Sequence, residues 1–303
     1  MIQDKLISVI MSTYNETEDE LNKSISSILE QSYQNIEFII INDNPKNEML
    51  RVYLESIQDE RVHVYTNEVN IGLVKSLNKA LGLVHGAYVA RMDADDISMP
   101  KRLEHQLGYM ERQGLDVVGA HIRLIDEAGN VIQDQMRFPE REKKIRACMP
   151  WGSCLAHPTW MVRKEVYQTM KGYRQVPHCE DYDFLTRVLA SGKYKVGNIP
   201  EIGLQYRIRN SGISGSNATE QYLLRSFISK NRNKIFAITE QDIADYRESK
   251  EIAAEKERYN QYLECKEAFK RDKGMIHLLR VLGNKYLYLD VVEKVVLKWR
   301  ERG

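Results

Sequence analysis

The 303-residue chain carries almost no net charge: 44 Lys and Arg stand against 43 Asp and Glu, a formal +1. That balance excludes broad electrostatic attraction to nucleic acid, so any basic surface has to be local. Cysteine is scarce. Cys148, Cys154, Cys179 and Cys265 show neither Cys-x-x-Cys spacing nor a His partner at zinc-finger distance, which removes the common zinc modules and leaves reduced, structural thiols. No window approaches the ~20 uncharged residues needed to cross a bilayer, and the N-terminus lacks a basic leader or a long apolar run. A cytoplasmic chain is the expectation. Internal repeats and low-complexity tracts are absent too. The loop after the first apolar run has no Gly-x-Gly-x-x-Gly, which argues against a dinucleotide-dependent oxidoreductase.

What is present is an ordinary soluble composition, 43% hydrophobic and 29% charged, in a chain long enough for one α/β domain plus an appendage. Strand-like and helix-like segments alternate through the first half, the pattern of a βα-repeating sheet. Leu6 to Met11 is an apolar run followed by the polar Ser12-Thr-Tyr-Asn15; Leu21, Ile25, Ile28 and Leu29 then form one helical stripe. Ile36 to Ile41 reads as a second strand ending in Asn42-Asp43-Asn44-Pro45, and Val62 to Tyr65 as a third. Leu73, Leu77, Leu81 and Val84 space as a helix that Gly86 would close, before a strand from Tyr88 to Met92. A helix through Leu103, Leu107 and Met110 follows. Val117 to Ala120 is an apolar run, Ile122 to Ile132 reads as a hairpin around Glu127-Ala-Gly-Asn130, and Thr159 to Val162 as another strand. Glu180 and Asp181 would sit in the first turn of a helix through Phe184, Leu185, Val188 and Leu189. Past about Gly215 no strand is evident and charged helix formers dominate. Two units are therefore expected, 1–215 and an α-helical 216–303.

The most informative stretch is Tyr88-Val-Ala-Arg-Met-Asp93-Ala-Asp95-Asp96, where an apolar strand runs straight into packed carboxylates and stops at Pro100. Strand ends are where open α/β sheets hold ligands. Crowded carboxylates repel, so a site that keeps them ionised supplies a cation; oxygen ligands suit Mg²⁺ or Mn²⁺, which clamp phosphates. The plainer reading is an acidic cap on the helix beginning near Pro100. In a parallel sheet this loop would share one edge with Thr13 to Asn15 and with Asn42 to Asn44.

Five segments then occur in order: Ser8-Val-Ile-Met-Ser-Thr-Tyr-Asn15, Ile39-Ile-Ile-Asn-Asp43, Asn70-Ile-Gly72 with Asn78, Ala90-Arg-Met-Asp-Ala-Asp-Asp96, and Glu180-Asp-Tyr-Asp183. Together, over roughly the first 215 positions, they resemble family 2 glycosyltransferases of the GT-A fold. The resemblance implies a Rossmann-like, nucleotide-binding mixed sheet flanked by helices, with a C-terminal helical extension. It also implies an inverting enzyme that passes a sugar from a nucleotide diphosphate sugar, usually a UDP-sugar, to an acceptor hydroxyl. On that pattern Thr13, Tyr14, Asn15 and Asp43 contact base and ribose, Asp93 the ribose and metal, and Asp95 the metal, with Asp96 supporting. Asp181 matches the general base and Glu180 an orienting acid. Each has a bland counterpart: Asp43 as a turn former beside Pro45, and Glu180-Asp181 as a helix N-terminal pair. Lys75 either approaches the nucleotide or is a solvated helix residue. Trp151 is either an acceptor platform or core, and His157 reads as structural.

Two positions depart from the pattern. Asn42 stands where the family often has Asp. In Leu204-Gln-Tyr-Arg-Ile-Arg209, Arg209 takes the place of a His; arginine cannot ligate a metal, so contact with the diphosphate is the expectation. These departures motivate an alternative, a non-catalytic nucleotide-sugar-binding or scaffold subunit on the same fold; intact Asp95 and Asp181 weigh against it. Residues 271–303 hold eight Lys or Arg against four Asp or Glu. There Tyr288, Val291, Val292, Val295, Val296 and Trp299 share a helical face that either lies on an anionic membrane, at the inner face of the cell membrane, or packs on the domain or a second copy. The expected acceptor is a glycan or lipid-linked glycan of a bacterial surface polysaccharide.

Overall fold

A computed structural model describes residues 5–209, 217–272 and Tyr286. The apolar runs become strands of one nine-stranded sheet: β1 (Ile7–Thr13), β2 (Ile36–Asn42), β3 (Val62–Thr66), β4 (Tyr88–Arg91), β5 (Ile97–Ser98), β6 (Val117–Ile125), β7 (Val131–Met136), β8 (Met161–Arg163) and β9 (Val196–Arg207). Their order is β3-β2-β1-β4-β8-β6-β9-β5, with β7 on β6. The first four are mutually parallel and β6 is parallel to β9, whereas β8 runs antiparallel to both β4 and β6, so the sheet is mixed. Because β1 lies between β2 and β4, the chain reverses direction across the sheet there, and the carboxyl ends of β1, β2 and β4 open on one edge.

Alternation along the strands divides the core into two layers. Val9, Met11, Phe38 and Ile40 face one side with Leu21, Ile25 and Ile28 of α1 (Glu18–Leu29) and Leu103, Leu107 and Met110 of α4 (Arg102–Gln113). Ile10, Ile39 and Ile41 face the other, with Val74, Leu77 and Ala80 of α3 (Leu73–Leu81) and Phe184, Leu185 and Val188 of α7 (Glu180–Ser191). Helix α1 starts at Thr17 in a capping box with Glu20. The remaining α-helices among the described residues are α2 (Glu48–Glu55), α5 (Glu142–Cys148), α6 (Lys164–Met170), α8 (Ala218–Lys230), α9 (Glu240–Glu248) and α10 (Lys250–Asp272). Leu224 and Ile228 of α8 and Ile243 of α9 are buried in the same core as α7. None of the helices among the described residues is long and apolar enough to cross a membrane. The Tyr288 to Trp299 stripe lies outside the described residues.

Three details differ from the sequence expectation. Helix α3 ends at Leu81 with Gly82 as its cap, not at Gly86. Gly86 is glycine for another reason: a Cβ there would lie 2.6 Å from the Leu6 carbonyl oxygen and 2.7 Å from Ser8 Oγ. The segment before Trp160 is a 3-10 turn, His157–Thr159, set by Pro158, so the strand is confined to Met161–Arg163. Strand β9 was not anticipated at all. Pro200 and Glu201 interrupt its pattern, and they bulge where the partner register steps from Ala120–Ile199 to His121–Ile202.

Candidate active site

The open edge begins with Thr13, buried at the end of β1. Its hydroxyl donates to Glu16 (2.6 Å), whose same oxygen accepts the Tyr14 N–H (2.8 Å), so the first loop is tied back on itself and Tyr14 is left 43% exposed. Asn44 bridges to this loop through Asn15 Oδ1 (2.8 Å) and the Tyr14 carbonyl (3.1 Å). Asp43, 3% exposed, accepts from Asn67 Nδ2 (2.8 Å), Ile71 N (2.9 Å) and Gly72 N (2.8 Å). Three of its roughly four lone-pair directions are thus used to fold the 67–72 turn, leaving one for a ligand. Gly72 has φ +83 as it starts α3. Lys75 is exposed on the first turn of α3, while Lys79 reaches the Asn67 amide oxygen (2.7 Å). Asn78 grips the backbone N–H and carbonyl of Tyr173 and is structural.

At the end of β4 the fully buried Arg91 donates to an oxygen of Asp93 and to the Met92 carbonyl. Asp96 is buried and accepts the Arg207 N–H (2.8 Å); its other oxygen has no partner, and burial holds its carboxyl well above the usual range. It supports the loop. Asp95 is pushed up to about 6 by burial and by the charge of Asp93. Arg209 lies against it, Nε to Oδ2 at 3.0 Å, and against Glu20 at 2.8 Å, as ion pairs without hydrogen-bond alignment. Glu20, the capping residue of α1, is therefore part of the site, a role its capping-box position concealed.

The third group comes from the N-terminus of α7. Glu180, 8% exposed, is raised to about 7 by burial and by Asp181. Asp181 is raised to about 6 by burial, opposed by the backbone N–H groups of Tyr182 and of Asp181 itself and by Arg91, and pushed further by Asp93. Arg91 and Asp93 act on both acids, so the strand end and the helix start share one electrostatic neighbourhood. His178 just ahead has φ +61, an uncommon left-handed conformation for a side-chain-bearing residue. Gln221 of α8 steadies it: its amide donates to the His178 carbonyl (2.8 Å) and its own carbonyl accepts the Cys179 thiol (3.2 Å). Sequence reasoning missed Gln221, for nothing in a polar helix residue 43 positions away signals that contact. Half-buried Trp151 is held by Arg225 on its carbonyl. His157 donates to or accepts from Tyr173 (2.9 Å), which meets Tyr167 (2.9 Å); burial keeps this imidazole neutral, a structural role as expected.

Carboxylates of Asp93 and Asp95 each leave one oxygen outside these ion pairs, and hard oxygen donors suit Mg²⁺ or Mn²⁺. Among the described residues no cluster of three or more His, Cys, Asp or Glu could by itself cage an ion. A divalent ion here would draw its remaining ligands from phosphate and water, as Mg²⁺ commonly does. The residues present fit such an ion on those terms.

Residues 8–170 match the family model described as Glycosyl transferase family 2. The O-antigen biosynthesis glycosyltransferase WbnJ of Escherichia coli is 37% identical over 234 residues, 74% of this chain and 90% of that protein. Two solved structures share the fold at low identity. S. aureus TarS 1–349 in complex with UDP-GlcNAc aligns with a TM-score of 0.60 at 15% identity, over 82% of this chain and 78% of that one. The mannosyltransferase PcManGT from Pyrobaculum calidifontis, in complex with GDP-Man and Mn²⁺, aligns with a TM-score of 0.58 at 14% identity, over 95% and 86%. The matched span of the family model ends before Glu180, Asp181 and Arg209.

Proposed function

Since the chain belongs to glycosyl transferase family 2, we propose that it is an inverting, metal-dependent transferase that moves a sugar from a UDP-sugar to a hydroxyl of a glycan or lipid-linked glycan. What supports this reading is that the charges of Arg91 and Asp93, paired at the Asp-x-Asp strand end, both act on Glu180 and Asp181 at the helix start. Two pairs of acids in one field, at the edge where three parallel strands open, suit a reaction with a diphosphate on one side and an attacked hydroxyl on the other.

Thr13, Tyr14, Asn15 and Asp43 hold the nucleoside, with Lys75 near its phosphates. The fourth lone pair of Asp43 accepts the uracil imide hydrogen. Mn²⁺ or Mg²⁺ on Asp95 and Asp93 would supply charge neutralisation of the departing diphosphate. Arg209 contributes to the same end from the protein, leaving Asp95 for a diphosphate oxygen. Asp181 takes the proton from the acceptor hydroxyl as that oxygen attacks the anomeric carbon from the face opposite the leaving group. A carboxylate titrating near 6 is ionised at neutral pH yet more basic than an ordinary Asp. Glu180 orients the acceptor. The relative WbnJ supports polysaccharide synthesis as the setting; one of the two solved neighbours is in complex with UDP-GlcNAc and the other with GDP-Man, so the UDP assignment rests on the Asp43 loop.

Calorimetric titration of UDP with and without Mn²⁺, on wild type and Asp95→Ala, tests this. Mn²⁺-dependent binding that disappears in the variant is the expected result. Equal binding by both proteins would remove the metal assignment, and absence of UDP binding alongside GDP or dTDP binding would replace the base.

A further inference from the structure

Between Gln221 and Thr239 the chain carries Arg225, Lys230, Arg232 and Lys234 and no acid at all, in a protein whose overall charge is +1. The stretch closes α8 and enters a 3-10 turn, Arg232–Ala237, that leaves helical geometry at Lys234 (φ −124, ψ 25). Ile235 alone points into the core, 1% exposed. Lys230, Arg232, Lys234 and Ala237 are exposed around it, and Phe236 stands 60% exposed, the only exposed Phe among the described residues. Acids near this turn are engaged elsewhere: Asp242 caps α9 through Thr239 while feeling the charge of Lys234, and Glu240 accepts the Gln175 N–H (2.8 Å).

The turn is fastened to the site. Arg174 donates to the carbonyls of Ile235 and Ile238 and also grips Asp183, two residues beyond Asp181. At the end of α8, Ser229 Oγ donates to the Pro150 carbonyl (3.0 Å) beside Trp151. A cluster of cations around one protruding aromatic is the chemistry of attachment to an anionic bilayer: the cations are drawn to the headgroups and the ring enters the interface. A single-stranded nucleic acid would use the cations and could stack a base on the ring, but such sites line a groove with several rings for successive bases, and Phe236 stands clear of other rings.

We propose that Lys230, Arg232, Lys234 and Phe236 dock this protein on an anionic lipid surface. Docking there sets the Trp151 and Asp181 side of the site beside the bilayer, where a lipid-linked acceptor is presented; that orientation rests on the transfer reading, the docking itself does not. The test is co-sedimentation of the full chain with phosphatidylcholine vesicles in which about one third of the lipid is phosphatidylglycerol, at low salt and at about 0.5 M NaCl. Each cation is expected to change partitioning about fivefold. The triple variant Lys230→Gln, Arg232→Gln, Lys234→Gln should therefore bind about a hundredfold more weakly, and Phe236→Ser about tenfold. High salt should release the wild type. UDP titration on the same variants reports folding, and should match wild type. Vesicle binding by the triple variant equal to wild type overturns the proposal. So does a Phe236→Ser variant with unchanged vesicle binding in a protein that holds RNA as tightly as vesicles, which would make the patch a general polyanion site. Vesicle binding without any nucleotide binding would instead count against the transfer reading and leave the docking surface standing.

Discussion

Replacing Asp181 by Asn should make the protein more stable and nearly inactive at once. In the folded chain this carboxyl titrates at about 6 against an ordinary 3.8, chiefly because it is buried. A pKa raised by folding means that the ionised form is disfavoured in the native state. The associated stability is complete below about pH 4 and is lost as pH rises through about 6. At about 1.4 kcal/mol per tenfold change in proton affinity the full difference is about 3 kcal/mol. Partial solvent contact and the shared field of Glu180 reduce it to about 1–2 kcal/mol. Loss of a negative charge from the first turn of α7 removes up to about 1 kcal/mol of dipole stabilisation. The net gain at pH 7.5 is about 1 kcal/mol, or about 1–2 °C in Tm for a chain of this size. Thermal unfolding followed by circular dichroism from pH 4 to 8, without metal or nucleotide, reads this directly: the two curves should meet near pH 4 and separate as pH rises. Transfer should meanwhile fall by about 10² to 10⁴ with UDP affinity retained, and wild-type kcat/KM should rise with pH through about 6. A variant less stable than wild type by the same margin at every pH would refute the reasoning, since Asp181 would then be only a helix cap.

Two further outcomes follow from the geometry. Arg209→Ala should weaken UDP about tenfold while leaving uridine binding unchanged, because only the former presents the diphosphate that Arg209 would share with Asp95; equal loss for both ligands in calorimetry would place Arg209 outside the phosphate site. Gly86→Ala should cost about 1–3 kcal/mol, as its methyl would meet the Leu6 and Ser8 backbone at 2.6 to 2.8 Å. Gly82→Ala, with its nearest contact at 3.3 Å and an ordinary right-handed φ of −73, should be close to neutral in the same denaturation series.

Local chemistry was readable residue by residue. The apolar runs of β1 and β2, the stripes of α1 and α4, and the polar punctuation after Thr13, Asn42 and Met92 all depend on neighbours within a few positions, and all appear where the local pattern places them. The strand β9 did not, because its proline lies in a bulge that only the partner strand β6 makes intelligible. Gly86 was misread for a related reason: its requirement comes from Leu6 and Ser8, 80 positions away, not from the helix before it.

By itself, then, the sequence determined the βα alternation, the family, and the identity of the acids at the carboxyl edge, since propensity, pattern and motif order are properties of the chain alone. Tertiary structure decided what surrounds those acids. Arg209 against both Asp95 and Glu20, three donors on Asp43, and Gln221 behind His178 are contacts between elements far apart in the chain, and the buried Arg91 acts through its charge on Glu180 and Asp181. Burial and charge at such contacts, which no local pattern encodes, are what move a carboxyl from 3.8 to about 6.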